Sequence, residues 1–365
     1  MASSKVDLNQ LRQQIDQLDQ QIQQLISDRA RIALAVGEAK GPQQQPVDYY
    51  RPEREAQVLR AVMERNAGPL SDTEMVRLFR EIMASCLAQQ EPLRIAYLGP
   101  EGTFTQQAVI QHFGHAVRAV AQASMDEVFS QVQACEADFG VVPVENSTQG
   151  IVSHTLDLFL NSPLKICAEV ELRIHQNLLS QAPGLGQIER VYSHPQSLSQ
   201  CRLWLRDHLP NVELIPVSSN AEAARRVRHA PDAAAIAGRS AAEVYGLPVL
   251  FADIEDQPDN STRFLVIGRE LFPPSGDDKS TLLLAGVQGP GALHELLSPL
   301  AQAGINMTRI ESRPSRQGKW DYVFFVDVEG HAQEAPLVSA LQELQQVARM
   351  VTVLGAYPKA LNTDL

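Results

Sequence analysis

Three hydrophobic patterns succeed one another along the chain. Leu8, Leu11, Ile15, Leu18, Ile22, Leu25, Ile32 and Val36 recur every three or four residues, which predicts one long amphipathic helix ended by Gly41-Pro42. A second helix is predicted from Arg51-Pro52, with proline in the first turn, to Asn66-Ala67-Gly68-Pro69. A third begins at Ser71-Asp72-Thr73-Glu74 and ends near Gln90. After Glu91-Pro92-Leu93 the period changes to short apolar runs, at 94–98, 117–121, 139–144, 166–172, 190–192, 213–217, 233–237 and 264–268, separated by helical stretches. That alternation predicts an α/β region with mostly parallel strands, and about 180 residues without a repeat fit two lobes around a cleft. Pro273-Pro274-Ser275-Gly276-Asp277-Asp278 reads as a linker. Beyond it, strands at 281–287, 308–313, 322–328 and 350–354 with helices at 292–303 and 337–347 give the order βαββαβ, a ferredoxin-like unit.

Composition narrows the class. The 365 residues are too many for one core. Apolar residues at 44% and charged residues at 20% describe a globular chain, and no apolar run approaches the ~20 residues of a membrane span. The N-terminus lacks an apolar h-region, so no signal peptide is expected. Cys86, Cys135, Cys167 and Cys201 form no CxxC pair, so reduced thiols in a cytoplasmic protein are expected. A net charge of −12 argues against nucleic acid, and an anionic substrate must then be met by local cations. His112, His115 and His154 show no metal spacing, and no metal is expected.

In the helical segment Arg29 takes the seam position of Leu8, Ile15, Ile22 and Val36. Lys40 lies about 20° further around the helix and ~16 Å along it. On the third helix Met75, Phe79, Ile82 and Cys86 make a stripe that Gln89 continues, with Ser85 one turn earlier. Cations and amides facing a helical core suggest a pocket for a small polyanion. Pattern alone favours a dimerisation module, because the first helix is too long to bury its stripe on two shorter ones. The order Leu11-Arg12-x-x-Ile15-Asp16, Asp28-Arg29, Gly37-x-x-Lys40, Arg51-Pro52-Glu53-Arg54-Glu55 and Ser85-x-x-x-Gln89 resembles the all-helical chorismate mutases. These are intertwined dimers that rearrange chorismate to prephenate. The resemblance implies that Arg29 and Lys40 hold the carboxylates and the ether oxygen, with Gln89 as a third catalytic group. It brings Arg12 from the partner chain, and Glu53 and Ser85 complete the pocket. A pericyclic shift needs no nucleophile, only a folded substrate and stabilised charge on the ether oxygen. Pro52 stands where some relatives carry arginine, so that position is given no role.

In the α/β segment polar residues gather where open sheets bind ligands. Gly99-Pro100-Glu101-Gly102-Thr103-Phe104 opens a helix and offers backbone N–H groups to an anion, but is not GxGxxG, so a dinucleotide is not expected. The other mouths are Pro143-Val144-Glu145-Asn146-Ser147, Ser193-His194-Pro195-Gln196, Ser219-Asn220-Ala221-Glu222 and Asn260-Ser261-Thr262-Arg263-Phe264. Singly, each has an ordinary explanation: a capping box for Glu222, a satisfied loop for His194, a turn for Asn146. Jointly they resemble the prephenate dehydratases, whose two-lobed fold is like that of the solute-binding proteins. That family removes carbon dioxide and the ring hydroxyl together to give phenylpyruvate. The resemblance implies that Thr262 donates to the leaving hydroxyl, with relay from water or Glu145 left open. Arg263 and helix N-termini would hold the side-chain carboxylate, Asn146, Ser147 and Gln196 would orient the substrate, and Thr103, Ser193, His194 and Glu222 would complete the site.

Gly289-x-Gly291-Ala292-Leu293, equally a turn, and Glu311-Ser312-Arg313-Pro314 resemble the ACT domain fused to these dehydratases. There the motifs bind phenylalanine between paired domains, which implies Gly291, Ala292, Leu293, Glu311, Ser312 and Arg313 as effector contacts. The expectation is three modules, 1–91 all-helical, 92–272 two-lobed α/β and 277–365 ferredoxin-like. Together they would take chorismate to prephenate and then phenylpyruvate, without cofactor, as a homodimer or larger homo-oligomer inhibited by phenylalanine. Two other readings stay open: a dehydratase whose helices only dimerise, and a cytosolic sensor without turnover.

Overall fold

The computed structural model describes residues 8–40, 50–286, 289–315 and 322–361. Three helices come first, α1 (Leu8–Lys40), α2 (Pro52–Arg65) and α3 (Asp72–Ala88). A first lobe follows with β1 (Arg94–Leu98), α4 (Phe104–Phe113), β2 (Arg118–Gln122), α5 (Met125–Gln133), β3 (Phe139–Asn146), β4 (Gly150–Ile151), α6 (Ser153–Phe159) and β5 (Lys165–Arg173). The chain crosses to a second lobe through β6 (Asn177–Ser180), β7 (Arg190–Ser193), α7 (Pro195–Gln200), α8 (Arg202–His208), β8 (Glu213–Pro216), α9 (Asn220–Val227), β9 (Ala233–Ala237), α10 (Arg239–Tyr245) and β10 (Val249–Phe251). It returns on β11 (Ser261–Gly268), then closes with β12 (Asp278–Ala285), α11 (Ala292–Gln302), β13 (Met307–Pro314), β14 (Tyr322–Glu329), α12 (Leu337–Val347) and β15 (Met350–Pro358).

The helix signals act as read. Pro52 stands in the first turn of α2, and Ser71 caps α3 by accepting the Glu74 N–H. The stripe of α1 finds little cover within the chain: Leu25 is 67% and Ile32 66% exposed. Among the described residues no helix is long and apolar enough to cross a membrane.

The sheets are mixed, not mostly parallel. In the second lobe the order is β10-β6-β9-β7-β8, with β7 parallel to β8 and β9 but β6 antiparallel to both its neighbours. In the first lobe β1 runs parallel to β2 and β3, and β11 lies antiparallel between β3 and β5. Direction follows from the crossings: the chain re-enters the first lobe beside the end of β3, so β11 must run back along it. Strands β6 and β10 were not expected, because four and three residues are too few to display a period.

The C-terminal unit has the expected order and is not a separate sheet. Its strands run β13-β14-β12-β15, and β15 continues onto β5 with Gly355 opposite Ile166. A Cβ on Gly355 would stand 2.3 Å from the Ile166 carbonyl oxygen, so only glycine permits the junction. One core therefore mixes Phe159, Ile166 and Leu265 with Phe325, Leu354 and Tyr357. On the opposite face Tyr50, just ahead of α2, is buried with Phe113, Phe139 and Phe264 of the first lobe. The linker is docked too: Ser275 is 4% exposed, and its carbonyl accepts from Arg60 at 3.0 Å.

Candidate active site between the two lobes

The cleft between the lobes has a volume of about 710 Å³. Loops at the C-terminal ends of β1, β3, β7 and β8 wall it, and the start of β11 supplies Asn260, Thr262 and Phe264. An antiparallel strand presents its first residues where parallel strands present their last, which is why a fifth motif, at the head of its strand, joins four at the ends of theirs.

Thr262 pairs with Asn146 on β3 and Leu172 on β5. Asn146 Nδ2 donates to Thr262 Oγ1 at 2.9 Å, which leaves the hydroxyl hydrogen without an acceptor among the described residues. Asn146 Oδ1 accepts the N–H groups of Thr148 at 3.1 Å and Gln149 at 3.2 Å, so the amide is fixed. Its Nδ2 also reaches Asn260 Oδ1 at 3.0 Å. Asn260 is 2% exposed, and its Nδ2 has no partner among the described residues; an unmet buried donor costs about 1–3 kcal/mol. Asn260 opens the fifth motif and has no role expected from sequence. Its spacing was the signal, since positions 260, 262 and 264 share one face of a strand.

On the second lobe His194 caps α7, its Nδ1 accepting the Gln196 N–H at 3.3 Å. The neutral ring then carries its hydrogen on Nε2, and partial burial pushes its pKa down, so it is a neutral donor near pH 7. Gln196 lines the cleft beside it. Asn220, also missed, accepts from Ser193 Oγ at 3.0 Å and donates to Ser197 Oγ at 2.8 Å. Thr103 caps α4 at the first-lobe edge and donates to the Leu98 carbonyl at 3.3 Å. Gln200 Nε2 reaches across the lobes to Thr148 Oγ1 at 3.0 Å.

Five expected residues do not line the cleft. Arg263 follows Thr262 on a pleated strand and therefore faces the opposite side. There its guanidinium meets Glu169 at 2.9 Å, Asp327 at 2.7 Å and the Tyr357 hydroxyl at 3.1 Å. Glu145 is likewise on the far side, paired with Arg309 at 3.3 Å. Ser147 ties loops together through Asn260 Oδ1 and the Ser261 N–H, and Ser193 is buried on the Ile236 carbonyl at 2.7 Å. Glu222 donates its N–H to the Ser219 cap, but its carboxylate turns outward to Arg225 and Arg226, which hold its pKa down at about 2. No lysine or arginine lines the cleft among the described residues, contrary to the expected local cations. The N-termini of α4 and α9 open on it instead, with neutral amides between them.

In the helical region Arg12, Ser85 and Gln89 are exposed, while Arg29 and Glu53 are half-buried. Lys40 ends α1, and its side chain lies outside the described residues. Arg12 and Arg29 are ~25 Å apart along one straight helix, so a single chain cannot bring both to one small ligand. In the C-terminal unit Gly291 stands ahead of α11 with φ +83°, and Ala292 and Leu293 form its first turn. Ser312 points outward from β13 while Glu311 is half-buried. Arg313 is engaged within the chain, with Asp157 and Ser153 of α6 each at 2.8 Å.

Comparison with known proteins accounts for nearly the whole chain. The chorismate mutase type II family matches residues 11–91, the prephenate dehydratase family residues 95–271 and the ACT domain residues 281–346. A bifunctional chorismate mutase/prephenate dehydratase of Stutzerimonas stutzeri is 55% identical, over 97% of this chain and 98% of that one. One from Pseudomonas aeruginosa is 54% identical with the same coverage. Among solved structures, a prephenate dehydratase from Arthrobacter aurescens in complex with L-Phe is 37% identical, with a TM-score of 0.68 over 73% of this chain and 90% of that one. The chain belongs to the bifunctional chorismate mutase/prephenate dehydratase family, two enzymes on one polypeptide with an ACT domain behind them.

Proposed function

We propose that the helical module, residues 1–91, rearranges chorismate to prephenate, and that the inter-lobe cleft of module 92–272 converts prephenate to phenylpyruvate. The observation that carries the second assignment is the Thr262 hydroxyl, which accepts from Asn146 and keeps its own hydrogen to give. Neutral His194 and Gln196, with the starts of α4 and α9, suit a substrate carboxylate without clamping the one that must leave. Arg29, Lys40 and Gln89 are assigned to the mutase pocket with Glu53 and Ser85, and Arg12 comes from a second chain in a homodimer or larger oligomer. No cofactor is needed for either step. Residues 277–365 bind phenylalanine at Gly291 to Leu293 and at Glu311 and Ser312, between two copies, and inhibit the second reaction. With Arg313 held by α6, its part in effector binding is to join the ACT unit to the lobe. The two-lobed, solute-binding-like form and a cytoplasmic location complete the reading.

Assays of the full chain on each substrate, with and without phenylalanine, test it. Thr262→Ala is expected to lower prephenate turnover ~10²-fold while Thr262→Ser retains much more. Chorismate loss should continue in both variants. Equal prephenate turnover in the alanine and serine variants would take the donor role from Thr262. Prephenate turnover by the unaltered chain that phenylalanine leaves untouched would remove the regulatory assignment.

A further inference from the structure

We infer that Asn260 is a second hydrogen-bond donor to the oxygen that leaves the substrate ring, acting beside Thr262; this rests on the dehydratase reading. Asn260 lines the cleft two residues ahead of Thr262, and its amide can face only one way. Backbone N–H groups of Thr148 and Gln149 fix Asn146 Oδ1, which fixes Asn146 Nδ2 on the opposite side. That nitrogen donates to Asn260 Oδ1 at 3.0 Å, so the oxygen of Asn260 is turned towards Asn146 and its nitrogen away. The hydroxyl of Ser147 adds to the same oxygen at 3.4 Å, while that of Thr148 donates to Asn146 Oδ1 at 2.6 Å and helps to fix that amide. Asn260 Nδ2 is left buried without a partner among the described residues. A buried N–H group on a binding wall is satisfied when a ligand brings an oxygen to it.

The identity of that oxygen follows from Asn146. One amide nitrogen holds both Asn260 and Thr262, so the two donors are neighbours and serve the same end of the ligand. In the reaction the ring C–O bond breaks with its electron pair going to oxygen. The pair of the C–C bond to the departing carboxylate fills the ring as carbon dioxide leaves. The oxygen takes one proton, drawn from solvent through the Thr262 hydroxyl, and departs as water. Charge on this oxygen peaks as its bond to the ring breaks, and a fixed neutral amide strengthens its hydrogen bond at that moment. Neither donor acts on the carboxylate at the other end of the ring.

The test uses the full chain carrying Asn260→Asp or Asn260→Ala. Aspartate keeps Oδ1 for Asn146 and replaces the donor by an acceptor. At about pH 8 kcat for prephenate should fall ~10²-fold in both variants, and in Asn260→Ala KM should stay within about threefold. On acidification to about pH 5 the aspartate variant, relative to wild type, should recover as its carboxyl takes a proton and donates again, whereas Asn260→Ala should not. Chorismate turnover should be unchanged in both, which shows the helical module intact, and acid recovery of the aspartate variant separates loss of the donor from misfolding of the cleft. A kcat within about twofold of wild type, a change confined to KM, or an aspartate variant without acid recovery would overturn the inference. Failure of the wild-type chain to convert prephenate would instead overturn the dehydratase reading.

Discussion

His112 meets Tyr50 across a 2.8 Å contact from its Nε2 to the phenol oxygen and stands edge-on to Phe113, with ring centroids 4.6 Å apart. The contact joins the segment ahead of α2 to α4, so it lies between the helical region and the first lobe. Burial pushes the imidazole pKa down to about 3, and the Arg80 guanidinium adds to the effect. The unfolded chain takes up this proton near pH 6.5, while the folded chain refuses it until about pH 3. Stability from His112 is therefore complete above about pH 6.5 and is lost progressively as pH falls through that window. The expected result is a thermal midpoint that drops further between pH 7 and 5 in the wild type than in His112→Gln, which has no proton to refuse. Parallel loss in the two proteins would show that His112 titrates freely in the folded chain. A sequence cannot disclose this residue's role. Its neighbours in space lie sixty-two positions away at Tyr50 and on another element at Arg80.

At the scale of elements, β11 has two faces with two tasks. Thr262 and Phe264 look into the cleft; Arg263 looks into a buried network with Glu169, Asp327 and Tyr357, which Lys279 joins through Glu169 at 2.8 Å. Burial works against the arginine's charge, but Tyr357, Asp327 and Glu169 outweigh it and push its pKa up. Arg263→Met would leave Asp327 buried and unpaired, at an expected loss of about 3–5 kcal/mol, read as a lower denaturation midpoint of the full chain. Arg263→Lys should fall between, since an ammonium cannot span three acceptors in a fixed fork. A methionine variant as stable as the wild type would mean the network holds nothing together. Adjacent letters in a motif thus separated in space. The five motifs marked the right loops, because glycine, proline and capping residues act locally. Which side chains of a strand enter the cleft depends on pleat phase and on bulges, which turns Arg263 and Glu145 away from it. Glu222 is drawn outward by Arg225 and Arg226 on its own helix. Strand direction was hidden for a similar cause: the return of β11 beside β3 is fixed by a second lobe some ninety residues long, not by anything in β11.

For the whole molecule the question is what covers α1. Leu8, Ile15, Leu18, Ile22, Leu25 and Ile32 are all more than half exposed on the single chain, an apolar face larger than soluble monomers usually leave to water. The helix is also ~50 Å long, far beyond the reach of the two shorter helices beside it. A second copy answers both the exposed face and the distance between Arg12 and Arg29, because a partner's α1 laid alongside can bring its Arg12 to this chain's Arg29. Arg12→Ala and Arg29→Ala chains should each lose chorismate turnover alone and keep prephenate turnover. Mixed and allowed to exchange, they form hybrid dimers in which one pocket has both arginines and the other has neither. With full exchange in equal amounts, half the dimers are hybrids and half their pockets are intact, so about one quarter of wild-type chorismate turnover should return. The readout is chorismate loss against time after mixing, with exchange followed by a mass tag on one chain. Complete exchange without recovered activity would rule out a pocket shared between chains, and α1 would then be covered by a partner that adds nothing to the chemistry.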